Sequence, residues 1–171
     1  MDHHPVAGVF AFEGYMERTL EYMPLSVRMK LDLCEIQLSL AQWCGLPLPV
    51  RQILLDTDCA VPNALLRIRL YLEFMLDVLR LGPPLSVQCD PRTWSARRRV
   101  PLALRTAIKR LGLPRLAQDA WSALDDVQRF ALLNLSHQGS THRLRAALAD
   151  FGLDPFGPRQ GSYRESAGAV H

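Results

Sequence analysis

The chain has 171 residues, of which 49% are hydrophobic and 22% charged, and its formal net charge is +3. This composition excludes an intrinsically disordered chain, and the length favours one domain, or two small halves that share a core. The longest apolar segment, residues 64–80, contains five charged side chains, a density that excludes a membrane span. The first residues lack the basic and apolar regions of a signal peptide, so we expect a cytoplasmic protein with reduced cysteines.

The charge is unevenly distributed along the chain. Residues 1–90 carry 7 basic and 11 acidic side chains, a net −4, whereas residues 91–171 carry 13 basic and 6 acidic, a net +7. Arginine supplies 18 of the 20 basic residues, and its planar guanidinium suits bidentate contact with a carboxylate or phosphate. A bias of the genome toward arginine codons would explain the same excess.

Prolines and a capping serine predict the helices of the first half. Pro24 begins one helix, because proline fits the first turn, where its missing N–H has no partner in the helix. Ser39 is a candidate N-cap of a short helix, and residues 47–56 begin another helix at their prolines. Before these, Phe10 and Phe12 alternate with smaller residues and predict a short extended piece.

The strongest helical pattern covers about residues 62–81. Its polar residues Arg69, Glu73, Asp77 and Arg80 recur at steps of 4, 4 and 3 and form one narrow stripe. Nearly every other position is apolar. A helix this apolar around its circumference is predicted to be central, with neighbours on several sides.

The second half begins after residues 82–100, which three prolines and a glycine predict to be a loop. Pro101 begins the next helix, a short helix follows, and Asp125 is the predicted N-cap of a longer one. Ser140 or Thr141 caps the last helix. We therefore predict an all-α fold.

The predicted domain organisation is simple. Residues 10–153 form a single helical domain, between a flexible N-terminus at 1–9 and a flexible tail at 154–171. The tail is rich in glycine, proline and serine, as frayed termini commonly are.

A degenerate internal repeat links residues 24–55 with residues 101–133. One residue is inserted part-way, so the spacing between matching residues changes from 77 to 78. The matching pairs are Pro24 and Pro101, Leu25 and Leu102, Arg28 and Arg105, Leu38 and Leu116, Trp43 and Trp121, Leu46 and Leu124, Arg51 and Arg129, and Leu54–Leu55 and Leu132–Leu133. One such unit cannot enclose its own apolar face, so we expect two units packed around the 62–81 helix with both tryptophans in the core.

Arg28 and Arg105 are candidate ligand-binding residues because they occupy equivalent places in the two units. Each could bind the carboxylate of a ligand. The alternative is a structural role, in which the guanidinium pairs with an internal acid such as Asp32 or Glu35, or with a backbone carbonyl.

Cys59 is a candidate reactive thiol. It precedes the 62–81 helix, whose positive N-terminal end would lower the pKa of the thiol. The alternative is packing in a turn. The spacings of the four cysteines match no zinc site, and His137 and His142 lack a companion carboxylate, so we predict no metal ligands.

Residues 92–115 form a basic stretch with eight basic side chains and no acidic one. Arg97, Arg98 and Arg99 are consecutive, and Trp94 could add a stacking surface. The stretch is a candidate surface for an acidic partner or nucleic acid. It could equally be a solvated loop followed by an exposed helix face.

The segment "FAFEGYMERTLEYMPLSVRMKLDLCEIQLSLAQW" resembles the opening of the nitrate reductase-associated proteins, a family of small bacterial proteins. The specific part is Phe12–Glu13, then Pro24, Val27–Arg28, Lys30–Leu31–Asp32, Cys34 and Trp43, together with the Asp58–Cys59 turn. The segments "VQRFALLNLS" and "LRAALADFGL" resemble the closing part of the family. The stretch "SHQGSTHRLR" follows the family pattern only loosely, and the loop at 82–100 is more basic than the family leads us to expect.

The resemblance implies a role in nitrate assimilation. It leads us to expect an accessory protein that binds the apoprotein of a molybdenum-containing nitrate reductase, its cofactor, or its assembly machinery, and so assists maturation. It implies no catalytic residue, and we predict no cofactor of the protein's own. The interaction candidates are therefore Arg28, Arg97, Arg98, Arg99, Arg105 and Cys59.

Two alternative functions remain open. One is a small enzyme that acts on the molybdenum cofactor through Cys59, although no phosphate-binding glycine loop and no catalytic triad occurs. The other is a helix-turn-helix regulator, which is disfavoured because no helix carries a row of polar residues able to read bases.

Overall fold

The computed structural model describes residues 7–156, and these residues form an all-α fold, as the sequence predicts. The first half contains five helices and one short strand: α1 (Tyr15–Arg18), α2 (Leu25–Leu33), β1 (Ile36–Gln37), α3 (Leu40–Gly45), α4 (Leu48–Asp56) and α5 (Ala64–Val78). Of the predicted flexible ends, 1–9 and 154–171, residues 1–6 and 157–171 lie outside the described residues.

The second half also contains five helices and one short strand. It contains β2 (Leu85–Ser86), α6 (Arg92–Ser95), α7 (Leu102–Arg110), α8 (Gln118–Ala123), α9 (Asp126–Gln138) and α10 (Thr141–Asp150). Strands β1 and β2 pair antiparallel, with Ile36 opposite Ser86. The segment 82–100 is therefore not only a loop, as its prolines suggested, because it also forms β2 and the single turn of α6.

Two of the predicted capping side chains begin their helices as expected, whereas Ser140 precedes α10 without a side-chain capping bond. The Ser39 side chain accepts a hydrogen bond from the Gln42 N–H, and Asp125 accepts one from Gln128 in the same way. In both cases the glutamine side chain returns a bond to the backbone of the cap, so two otherwise unpaired N–H groups are satisfied. Pro24 and Pro101 stand one residue before their helices, in extended backbone.

The five helices of one half start 77 or 78 residues before those of the other. The spacing is 77 for α1 and α6, α2 and α7, and α5 and α10, and it is 78 for α3 and α8, and α4 and α9. Helices α2 and α7 have the same length, as do α3 and α8. The internal repeat itself stays a prediction, which a superposition of the two halves would test.

Three apolar clusters form the core. One lies within the first half, and a second is built mainly from α7 to α10. The third joins the halves, because Met29 and Leu33 of α2 pack against Phe130 and Leu133 of α9 and against Trp94. Helix α9 contacts α2, α6, α7 and α10, so it is the helix around which the fold is organised.

The helix predicted at about 62–81 does form, but the prediction that it lies at the centre of the fold is wrong. Helix α5 buries only the row of Ala64, Ile68, Leu72 and Leu76. On its other side Leu66, Leu70, Phe74 and Val78 are exposed. Periodicity showed that α5 is apolar on nearly all sides, but it could not show that neighbouring helices cover only one of them.

Phe10 and Phe12 do not form an extended strand. They lie in turns and stack on each other with ring centroids 5.4 Å apart, and both contact Phe151 after α10 edge to face. This aromatic group connects the start of the described chain to its end. No helix within residues 7–156 has the length and apolarity that a membrane crossing requires.

Candidate functional site

Trp43 and Arg51 form a packed pair in the first half. The indole N–H of Trp43, which is fully buried, donates to the Leu20 carbonyl at 2.9 Å. The guanidinium of Arg51 lies 5.8 Å from the centre of the Trp43 ring and donates to the carbonyls of Leu20, Cys44 and Leu46 at 2.7 to 3.1 Å. The arginine therefore satisfies the carbonyls at the end of α3.

Trp121 and Arg129 form the equivalent pair in the second half. The indole N–H of Trp121 donates to the Ala96 carbonyl at 3.1 Å, and the guanidinium of Arg129 lies 5.9 Å from the ring centre. Arg129 is fully buried and donates to the carbonyls of Trp94 and Leu124. It also pairs with the Asp126 carboxylate. Arg51 and Arg129 are thus structural residues that hold a tryptophan helix to its neighbours.

Arg28 lies in a small pocket of about 190 Å³ between the halves. One carboxylate, that of Glu17, lines the same pocket, and Asp32, one turn along α2, interacts electrostatically with Arg28. Burial nevertheless raises the pKa of Asp32, an effect that Arg28 opposes. Glu17 pairs with Arg143 of α10 at 2.7 Å, so the pocket contains its own counter-charges. Arg28 itself forms no ion pair with a described carboxylate, so both its ligand-binding role and its structural alternative stay predictions.

Arg105 lies in what we call the arginine groove. Two adjoining pockets of about 260 and 280 Å³ share Arg105, Arg115 and Leu116. Arg99 lines one of them and Lys109 the other, and no carboxylate lines either. The Nε atom of Arg105 is buried and has no hydrogen-bond acceptor among the described residues. Of the two arginines predicted to bind a ligand, only Arg105 therefore lies in pockets that no carboxylate lines.

The side chains of Arg97, Arg98 and Arg99 are exposed just before α7. The Arg97 carbonyl accepts a hydrogen bond from the Ser122 hydroxyl at 2.9 Å and another from the Gln118 side chain, and these bonds fix the backbone of the basic stretch against α8. Trp94 offers no stacking surface, contrary to the sequence prediction. It is 7% exposed and packs edge to face on Phe130, with ring centroids 5.1 Å apart, because α6 turns its ring into the core between the halves.

Cys59 is half-buried beside the first core, and its pKa is raised, not lowered as the sequence suggested. Burial is the main cause, and the nearby Lys30 ammonium only partly opposes it. Lys30 donates its own hydrogen bonds to the carbonyls of Leu54 and Leu55 at the end of α4. Burial also raises the pKa of Cys34, to about 11. Neither thiol has the electropositive, accessible surroundings that make a cysteine reactive.

A wider pocket, of about 590 Å³, lies elsewhere, beside α5 and the β1–β2 pair. Arg69, Glu73, Asp77 and Arg80 line it, so its charges balance, and Arg69 pairs with Glu73 at 3.0 Å. Within the described part of the chain, no group of three or more histidine, cysteine or acidic residues is placed to hold a metal ion. Charge therefore distinguishes the arginine groove from this pocket and from the pocket at Arg28.

The comparisons with known proteins agree with the resemblance noted in the sequence. The model of the conserved nitrate reductase-associated protein family matches residues 9–151, from the aromatic group at the start to the end of α10. The chain belongs to this family. No curated protein and no solved structure matches it.

Two acidic residues of the opening segment, Glu13 and Glu17, are buried, which the sequence analysis did not predict. Glu13 is 1% exposed, and its carboxylate accepts hydrogen bonds from the backbone N–H of Phe10 and of Leu25, the first residue of α2. Burial is the main reason why the pKa of Glu13 is raised. Glu17, 6% exposed, accepts from the Gly14 N–H. The only sequence signal was that Glu13 stands among aromatic residues, which does not distinguish a buried acid from an exposed one.

Proposed function

We propose that the protein is an accessory protein of nitrate assimilation that binds the apoprotein of nitrate reductase and favours its mature, cofactor-loaded state. The single observation that carries this proposal is membership of the nitrate reductase-associated family across residues 9–151. A binding protein shifts maturation only if it holds one state of the reductase more tightly than the other. The cofactor, or the assembly machinery, would then be a further partner at the same stage.

The exposed arginines before α7 support a docking surface for an acidic partner. Arg97, Arg98 and Arg99 have exposed side chains, and none of them forms an ion pair with a described carboxylate. The backbone bonds to α8 fix the segment, so binding would order only the side chains. Charges presented in this way accelerate the encounter with a surface of opposite charge.

A gene deletion tests the role in maturation. We expect the deleted strain to make reductase protein at the normal level but with low activity and low molybdenum content, restored by the wild-type gene. Normal activity in the deleted strain would contradict the proposal. Low reductase protein with normal activity per molecule would instead indicate control of expression, the function of a regulator.

Charge reversal tests the docking surface. The triple variant Arg97→Glu, Arg98→Glu and Arg99→Glu should bind apo-reductase at least tenfold more weakly than the wild type at low salt. The single variant Arg98→Glu should lose part of this affinity, whereas Arg67→Glu, at an exposed position of α5, should lose none. Equal losses for Arg98→Glu and Arg67→Glu would mean that overall charge, not this surface, determines binding.

A substitution of Cys59 tests the enzymatic alternative. The raised pKa of the thiol makes Cys59 a poor nucleophile at neutral pH. Cys59→Ser should therefore restore reductase activity to the deleted strain as fully as the wild-type gene does. Complete failure of this variant, with its fold intact, would favour the enzyme.

A further inference from the structure

The arginine groove has a buried donor that no described residue satisfies. Arg105 projects from α7 with its Nε atom buried, and this atom has no hydrogen-bond partner within residues 7–156. Buried polar atoms in folded proteins nearly always have a partner, so each exception calls for an explanation. A charged donor is a particularly costly one to leave unpaired. An anion in the groove would balance the charge of the Arg105 guanidinium, although the Nε atom itself is closed to solvent.

The positive charges around Arg105 have no internal balance. Arg99 and Arg115 line the groove on one side, and Lys109 and Arg115 line it on the other. None of the four basic residues of the groove forms an ion pair with a carboxylate among the described residues. Their mutual repulsion is reduced when an anion lies between them.

The equivalent pocket of the first half shows what the groove lacks. Arg28, Leu38 and Ser39 line that pocket at the places that Arg105, Leu116 and Ala117 take in the groove. At the place of Asp32, which interacts with Arg28, the second half has Lys109. Tyr22 is likewise replaced by Arg99. The second half thus keeps the arginine, loses its acid and gains two cations.

We propose that the arginine groove binds the phosphate group of a small phosphate monoester. Arg99, Arg105 and Arg115 hold the phosphate oxygens, because guanidinium groups bind phosphate in a bidentate geometry. Ile108, Leu113 and Leu116 line the adjoining part of the groove and contact the organic part of the ligand. A phosphate monoester carries close to two negative charges at neutral pH, which matches this set of cations. The inference does not depend on the proposed function.

Calorimetric titration of the purified full-length protein tests the proposal, with phenyl phosphate and inorganic phosphate as probes at constant ionic strength. We expect phenyl phosphate to bind, and to bind at least fivefold more tightly than inorganic phosphate, because only the ester has an organic part. Binding should be tighter at pH 8 than at pH 5, since the second phosphate proton dissociates near pH 6. Equal affinity for the two probes would overturn the part of the proposal that concerns the organic group.

Substitutions locate the site. Arg105→Gln and Arg115→Gln should each weaken phenyl phosphate binding at least tenfold. Arg115 is exposed, so its variant leaves the fold intact even if Arg105→Gln does not. Arg110→Gln, at an exposed position of the same helix outside the groove, and Arg28→Gln, in the equivalent pocket, should bind like the wild type. No detectable binding, or losses as large for Arg110→Gln as for Arg115→Gln, would overturn the proposal.

Discussion

The two halves of the protein, residues 15–78 and 92–150, use the same order of five helices but surround one pair of equivalent arginines differently. In both halves a fully buried tryptophan donates to a backbone carbonyl, and an arginine eight residues later lies against its ring. In the first half, Glu17 lines the pocket of Arg28 and Asp32 interacts with it, whereas in the second half Arg105 lies among other cations. The two pockets thus differ in charge, so the chemistry of each half depends on the residues around the arginine.

The largest expected difference between the halves concerns the arginines that hold the tryptophan helices. Arg129→Met should lower the free energy of unfolding by about 3 kcal/mol, because it leaves buried carbonyls without donors. Arg51→Met should cost about 1–2 kcal/mol, since Arg51 is only half-buried and water can replace it. Urea unfolding of both variants checks this order. Equal losses of unfolding free energy would show that the two arginines contribute equally to stability.

The tryptophans should respond alike. Trp43→Phe and Trp121→Phe each remove one hydrogen bond and part of a fully buried ring, so each should lower the free energy of unfolding by about 2 kcal/mol. Urea unfolding again provides the measurement, with Trp94→Phe as a reference that removes a buried indole outside the two pairs. A difference above about 1 kcal/mol between the first two variants would break the comparison.

Glu13 and Asp90, which stand before α1 and α6, should make the stability of the fold depend on pH in opposite directions. Glu13 has a pKa raised above 4.5 by burial, so its contribution to stability is present below that pH and is lost as the pH rises through its folded pKa. Asp90, 77 residues later, has a pKa lowered below 3.8 by its hydrogen bonds with Arg92, so its contribution is lost as the pH falls.

Urea unfolding between pH 3 and pH 7 compares the two acids. The stability of Glu13→Gln relative to the wild type should increase as the pH rises, whereas the disadvantage of Asp90→Asn should shrink as the pH falls. The Glu13 effect should be the larger, because Asp90 is exposed to solvent. If the stability of both variants relative to the wild type changed with pH in the same direction, the opposite pKa shifts of Glu13 and Asp90 would be contradicted.

The smallest expected effects concern Arg28 and Arg105. Arg28→Gln should lower stability by about 0.5 kcal/mol, since it removes an attraction to Asp32 one turn away. Arg105→Gln should leave stability unchanged or slightly raise it, because it relieves repulsion and removes an unsatisfied donor. Thermal unfolding in a buffer without phosphate measures both. A clear loss for Arg105→Gln would mean that its guanidinium has a structural partner.

Local chemistry made the helices predictable, because prolines and capping side chains act within a few residues. Ser39 and Asp125 cap the helices as expected. The family that the opening segment resembles is the one whose model matches the chain. Contacts between distant segments were not predictable in the same way. The sequence could not show that neighbours leave one side of α5 exposed, or that Trp94 is buried between the halves.

The candidate site was only partly predictable for the same reason. The repeat pointed to Arg105, and the basic stretch contained Arg99. Their convergence with Arg115 depends on the fold that brings the segment after α7 back against the start of that helix. The lowered pKa expected for Cys59 was wrong because the helix that follows it does not outweigh burial.

One variant tests most directly the claim that charge distinguishes the two pockets. Lys109→Asp gives the second half the acid that the first half has at Asp32. Each position stands four residues after its arginine, Arg28 or Arg105, and so lies on the same side of the helix as that arginine. We expect calorimetry to show phenyl phosphate binding at least tenfold weaker than in the wild type, whereas Arg110→Asp, an equal change of charge on the adjacent exposed residue, retains most of the affinity. Unchanged binding by Lys109→Asp, or equal losses for the two variants, would contradict the account.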